Sequence, residues 1–217
     1  MTNIGENRGL FITFEGGEAC GKSTQAKLLG ARLGAVMTRE PGGTALGSMV
    51  RQLCLGDEYD PAPVTELLLM AADRAEHVAR VIRPALESGR HVICDRYTHS
   101  TVAYQSGGRG LDPELVAAAN RLATQGVIPD LVIMLDVDEE VMRARLAARG
   151  TLNRMERVDD EFTRRVLDSY ARQAREDERI VVVDGNGDIA AVEAAIYDAV
   201  TGRLGTDRLG TLLVDGK

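Results

Sequence analysis

One short run, Gly16-Gly17-Glu18-Ala19-Cys20-Gly21-Lys22-Ser23, constrains this chain more than any other stretch. It matches G-x-x-x-x-G-K-S, the pattern of a loop that cradles phosphate. Glycines let backbone N–H groups turn inward around phosphate oxygens. The lysine reaches the β and γ phosphates of a nucleoside triphosphate, and the serine hydroxyl ligates Mg²⁺. The flanks agree with this. Residues 10–14, Leu-Phe-Ile-Thr-Phe, read as a buried strand, and the run from Ser23 and Thr24 to Leu29 reads as a helix. The N-terminal amides and dipole of such a helix favour an anion. The bland alternative is a Gly-rich turn with no ligand.

Composition limits where such a site can sit. A chain of 217 residues suits one domain with a sizeable core. A formal net charge of −7 argues against a nucleic-acid partner, because backbone binding needs clustered, uncompensated Lys and Arg. Any phosphate site here is then a local basic island in an acidic protein. Cys20, Cys54 and Cys94 are scattered without a C-x-x-C pair, and His77, His91 and His99 show no metal spacing. Free thiols in a reducing compartment are the expectation, rather than a zinc site. The polar stretch Met1–Gly9 carries no apolar leader, and no later run has membrane length. The reading is cytoplasmic, with no membrane partner.

Beyond the loop, short apolar runs alternate with longer amphipathic ones, the pattern of βα units on a parallel sheet. Further strands are expected at 35–38, 91–95, 131–136 and 180–184. Helices are expected over 46–53 and 64–82, with a short continuation opened by Pro84. Others start at Asp112-Pro113-Glu114 and Asp138-Glu139-Glu140, cover 162–176, and run from Asp188 to about 200. Residues 106–110 read as a flexible loop, and the tail from about 202 to 217 as loosely ordered.

Several residues on this frame carry chemistry. Arg39-Glu40-Pro41-Gly42-Gly43-Thr44 forces a turn at a strand's carboxyl end, where open α/β sheets bind ligands; it also suits a plain connection. Arg51 lies on the helix that follows. Met70 and Arg74, four apart, share a helix face, so Arg74 is either solvated or lines a pocket. Asp95 ends an apolar strand, the position of an acid that holds Mg²⁺ beside the loop serine. Arg96 and Tyr97 follow, then Ser100, Thr101, Tyr104 and Gln105. That last group reads either as hydrogen-bonding groups for a base or as a helix start. Arg143, Arg145 and Arg149 lead into Gly150-Thr151-Leu152-Asn153-Arg154-Met155-Glu156-Arg157. This is the form of an arginine lid over phosphates, or of a surface loop paired with Glu156, Asp159 and Asp160.

Taken in order, these motifs resemble the thymidylate kinase family of the bacterial and archaeal type. The matching stretches are the phosphate loop, Arg39–Thr44, Ala72-Asp73-Arg74, Asp95-Arg96-Tyr97 with Ser100–Gln105, and Arg149–Glu156. The resemblance implies a single α/β three-layer domain, with a five-stranded parallel sheet flanked by helices and a mobile lid near 145–160. It implies the reaction ATP + dTMP → ADP + dTDP, with Mg²⁺. Lys22, Ser23, Thr24 and the loop from Gly16 would hold ATP, and Ser23 and Asp95 the metal. Arg96 and Arg51 would reach the acceptor phosphate, and Glu18 would face the acceptor sugar. Arg74, Thr101 and Gln105 would address the thymine edge, with Ser100 nearby and Tyr104 crowding the 2′ position. Arg149 and Arg154 would join Lys22 and Arg96 at the transferring group. A homodimer is implied as well. The family often carries an aromatic ring where Met70 stands, and Asp where Asn153 stands. Rival readings are a kinase for another small acceptor and a non-catalytic nucleotide switch.

Overall fold

The computed structural model describes residues 8–150, 154–157 and 159–209. Its strands are β1 (Phe11–Glu15), β2 (Val36–Arg39), β3 (Val92–Asp95), β4 (Leu131–Asp136) and β5 (Ile180–Asp184). They form one parallel sheet in the order β2-β3-β1-β4-β5. Each falls within a residue or two of its expected place. Helices α1 (Lys22–Arg32), α2 (Ala45–Leu55), α3 (Pro63–His77), α4 (Arg83–Glu87) and α5 (Thr98–Thr101) are followed by α6 (Pro113–Thr124), α7 (Glu139–Arg149), α8 (Asp160–Glu176) and α9 (Ile189–Leu204). Asp112, Asp159 and Asp188 cap α6, α8 and α9 by accepting from the backbone N–H of Glu114, Phe162 and Ala191.

The sheet is covered on both faces, which is why its strands read as unbroken apolar runs. On one face, Ile12, Phe14 and Ile133 pack against Ala26 and Leu29 of α1 and Ile196 and Val200 of α9. On the other, Phe11 and Val92 meet Ile82 and Leu86, while Val132 and Met134 meet Val166 and Tyr170 of α8. Register puts Phe14 and Arg39 level with Asp95. The carboxyl ends of the three neighbouring strands β2, β3 and β1 therefore open at one edge, where the functional loops leave.

Three local readings change. The long helix expected over 64–82 is α3 followed by a π-helical turn, Val78–Ile82, in which the Arg83 N–H reaches back five residues to the Val78 carbonyl. Pro84 explains the widening, because it lacks an N–H and its ring crowds the carbonyl four residues earlier. Residues 106–108 belong to a second π-helical turn, Val102–Gly108, rather than to a flexible loop. There a Cβ at Gly108 would lie 2.6 Å from the Phe162 ring, so glycine permits the close approach to α8. Finally, α9 runs to Leu204, and Leu209, in the 3₁₀ turn Asp207–Leu209, is buried against the core. Residues 1–7, the 151–153 portion of the expected lid with Asn153, and 210–217 lie outside the described residues.

Candidate active site

The loop between β1 and α1 forms the floor of a cavity of about 470 Å³. Glu18, Ala19, Cys20, Gly21, Lys22, Ser23 and Thr24 line it, with Gly16 and Gly17 beneath at the end of β1. Gly16 has φ +134°, and an added Cβ would stand 2.6 Å from the Leu135 carbonyl oxygen; the turn needs glycine for both reasons. Lys22 is 5% exposed, and its Nζ donates to the carbonyls of Gly16, at 3.1 Å, and Gly17. Ser23 Oγ donates to Asp95 Oδ2, while Asp95 Oδ1 is buried without a hydrogen-bond partner. A hydroxyl beside an unsatisfied carboxylate oxygen is a hard-oxygen donor set, and these residues fit Mg²⁺.

Arg96 joins this cavity to a smaller one. It lines both, as do Glu18 and Arg51. Its backbone holds φ +74°, which turns the side chain back over β1. Nη2 donates to Glu18 Oε1 at 2.8 Å, and Nη1 to Ser100 Oγ and Tyr170 Oη, both at 3.0 Å. Tyr104 Oη also donates to Glu18 Oε1, at 2.7 Å. Ser100 in turn donates to buried Glu15, at 2.5 Å. Burial pushes the Glu18 carboxyl up, but Arg96, Lys22 and the Tyr104 hydroxyl outweigh it and hold it at about 2. Glu18 is therefore ionised at neutral pH. Against its own burial, Arg96 is held well above its ordinary value by Glu18. The guanidinium is a fixed cation at the junction of two cavities.

The smaller cavity is lined by Met70, Arg74, Ser100, Thr101, Tyr104 and Gln105, all expected from sequence. Arg74 is 3% exposed, and its Nε donates to Glu40 Oε2 at 2.8 Å, Nη1 to Asn120 Oδ1 at 2.6 Å and Nη2 to the Tyr97 carbonyl at 2.9 Å. It is not solvated. A buried cation needs such a carboxylate, since an unpaired one costs several kcal/mol, roughly 3–5 when a single partner is removed. Glu40 also meets His77 Nδ1 at 2.9 Å.

Arg145 and Arg149 of α7 line the large cavity. Arg154 does not. Its guanidinium bonds the Cys54 carbonyl at 2.9 Å, Asp60 at 2.8 Å and the buried carboxylate of Glu66. The cause is electrostatic: Glu66 is fully buried and draws the cation to itself, away from the large cavity.

Sequence reasoning misses Glu15 and Glu66 as site residues, and places Arg39, Glu40, Asp73 and Arg145 in functional stretches without giving each a role. Some signal is present for two of them. Glu66, Met70, Asp73 and Arg74 recur at helical spacing, so the polar members share the face of α3 already assigned to Met70 and Arg74.

Asp73 has a measurable consequence. Oδ1 accepts the Gly42 N–H at 3.1 Å, and Oδ2 is buried without a partner. Burial and the nearby Glu40 push its carboxyl up to about 6. A carboxyl whose value is higher folded than unfolded binds its proton more tightly in the native state. Stability from this group therefore falls as pH rises from about 4 to about 6, and the cost is complete above that. Asp73→Asn keeps the acceptor for Gly42 and is expected to add about 1–3 kcal/mol of unfolding free energy at neutral pH. Urea melts should also show a flatter pH slope between about 4 and 6; an unchanged slope would remove Asp73 as its cause.

The fold and the two joined cavities define a P-loop phosphotransferase with one site for a nucleoside triphosphate and one for a second ligand. Comparison with known proteins agrees. The family model described as thymidylate kinase matches residues 14–196. A thymidylate kinase from Leifsonia xyli is 48% identical over 202 residues, covering 90% of this chain and 96% of that protein. One from a Synechococcus species is 50% identical over 202 residues, with the same coverage. The crystal structure of thymidylate kinase from Ehrlichia chaffeensis superposes with a TM-score of 0.74 at 32% identity, covering 89% of this chain and 99% of that one. This chain belongs to the thymidylate kinase family.

Proposed function

We propose that the chain transfers the γ-phosphoryl group of ATP to dTMP, giving ADP and dTDP. The observation that carries the reading is Arg96, a partly buried cation facing both cavities at once. Phosphoryl transfer through a loose transition state needs alignment and charge neutralisation more than a strong base. The attacking dTMP oxygen is already anionic, so no side chain has to take a proton from it. The loop from Gly16 to Thr24 cradles the ATP phosphates, and Lys22 leaves its loop carbonyls to reach the β and γ oxygens. Ser23 and Asp95 would hold Mg²⁺, which would supply positive charge to offset that of the phosphates. Arg96 and Arg51 hold the acceptor phosphate beside them. Arg149, with Arg145 next to it, supplies the lid charge, while Arg154 anchors the lid.

In the acceptor site, Arg74 offers one of its two remaining N–H groups toward thymine O4, and Thr101 and Gln105 face the base edge. Met70 packs on the ring with a flexible thioether in place of an aromatic face. Ser100 fixes Arg96. Glu18 cannot hold an anionic phosphate, since like charges repel; it faces the sugar and keeps Tyr104 against the 2′ position. Steady-state assays across dTMP, dUMP, dCMP and other monophosphates test this reading. The highest kcat/KM is expected with dTMP, and a clear preference for any other acceptor would sink it.

The described segments act as one domain with a lid built on α7 and the turn Arg154–Glu156. α7 buries only Met142, which suits an element that moves. A homodimer is supported by Met49, Val64, Leu68, Leu115 and Leu122, exposed apolar residues on the neighbouring helices α2, α3 and α6. Sedimentation equilibrium should return twice the chain mass. The cytoplasm fits the free cysteines Cys20, Cys54 and Cys94 and the absence, among the described residues, of any helix long and apolar enough to cross a membrane. Cell fractionation checks that placement.

A further inference from the structure

Glu66 has no exposed surface and does not itself line the smaller cavity, but it bonds Gln105, which does. Its carboxylate gathers three donor side chains from two separate parts of the chain, the turn around Val102–Gly108 and the lid. Gln105 Nε2 donates to Oε1 at 2.8 Å. Arg109 donates to Oε1 at 3.2 Å and Oε2 at 3.1 Å. Arg154, from the lid, donates to Oε2. A buried carboxylate normally favours its neutral form, yet bonds from Arg109, Arg154 and Gln105 outweigh burial and hold its value down. As an ionised group it only accepts hydrogen bonds.

That restriction has a consequence for Gln105. Its amide can turn either end toward a neighbour, but only the NH₂ end satisfies a carboxylate. Glu66 therefore fixes the amide, and the end left for a ligand is the carbonyl oxygen. A carbonyl accepts the N3–H of thymine; cytosine has an acceptor at N3 and is refused. The other oxygen of the same carboxylate holds Arg154, so the lid is docked on the group that orients the base reader.

We propose that Glu66 is a positioning residue that sets the base preference through Gln105 and couples base binding to lid docking through Arg154. The proposal rests on the reading of this cavity as the dTMP site. Binding of a base that satisfies Gln105 stabilises the Glu66 cluster and hence the docked lid, and by linkage lid docking tightens the base.

Glu66→Gln keeps the size but lets either amide end face Gln105. It is expected to raise KM for dTMP about 10-fold or more and to lower the dTMP-over-dCMP ratio of kcat/KM about 10-fold or more, with KM for ATP little changed. A purely structural role would reduce both acceptors alike, and an unchanged ratio overturns the base-reading half. Arg154→Ala, which leaves Glu66 its bonds to Arg109 and Gln105, tests the other half even where Glu66→Gln folds poorly. In the wild type, dTMP should slow tryptic cleavage between Arg149 and Arg157. In Arg154→Ala that protection should disappear, and the dTMP-over-dCMP ratio should fall by less than in Glu66→Gln, because Gln105 stays oriented and only the lid's share of thymine binding is lost. Persisting protection overturns the coupling. The wild-type arm separates the two levels: a wild type that does not prefer dTMP refutes the acceptor assignment itself, whereas a dTMP-specific wild type with an unaltered Glu66→Gln ratio refutes only the role of Glu66.

Discussion

Arg96→Ala is expected to lower kcat/KM for dTMP by about 10³-fold or more, the scale on which phosphoryl-transfer enzymes lose a charge-stabilising arginine. The loss should fall on both kcat and KM, because one guanidinium is asked to hold the acceptor phosphate and to offset charge on the transferring group. The substitution also leaves Glu18 without its ion-pair partner at 2.8 Å. A charge repelling the incoming phosphate then replaces one attracting it. Pairing Arg96→Ala with Glu18→Gln separates these effects. If the double variant recovers binding of dTMP but not turnover, repulsion by bare Glu18 accounts for KM and the missing cation for kcat. An Arg96→Ala enzyme with normal dTMP binding and turnover would remove Arg96 from the site.

Lys22→Ala should act on one side only. Lys22 lines the large cavity and is absent from the lining of the smaller one. Removing a preorganised charge from a developing anionic centre costs about 10²–10³-fold in kcat. KM for dTMP should stay within a factor of a few, and isothermal titration with an ATP analogue should show weakened binding. In the structure Lys22 holds the Gly16 and Gly17 carbonyls. A thermal melt is therefore needed beside the kinetics, and a loss of turnover that tracked a collapse of Tm would assign Lys22 to loop structure instead of chemistry.

Much of this enzyme is legible in its residues alone. The parallel sheet follows from strands that are apolar on both faces, and the phosphate loop from the glycines and lysine that any such cradle needs. Asp95 and Arg96 stand out because an acid and a base ending an apolar run must leave the sheet at its ligand-bearing edge. Met70 and Arg74 stand out by their spacing of four on a helix, though spacing does not tell a solvated arginine from a buried one. The π-helical turn at Val78–Ile82 escapes a helical periodicity, although Pro84, its physical cause, is in plain view.

By itself the sequence determined the local pattern: which stretch turns tightly on its glycines, which strand ends in Asp95, and which helix face carries Met70 and Arg74. Those depend on residues within a turn or two of one another. Only the tertiary structure decided the partners of the buried charges. Glu40 finds Arg74, Glu18 finds Arg96, and Glu66 finds Gln105, Arg109 and Arg154, each pair far apart in the chain. A buried carboxylate must find its cation wherever packing brings one, and no periodicity records that meeting. It is why Arg154, read from sequence as a lid arginine over phosphate, sits on Glu66, away from the large cavity.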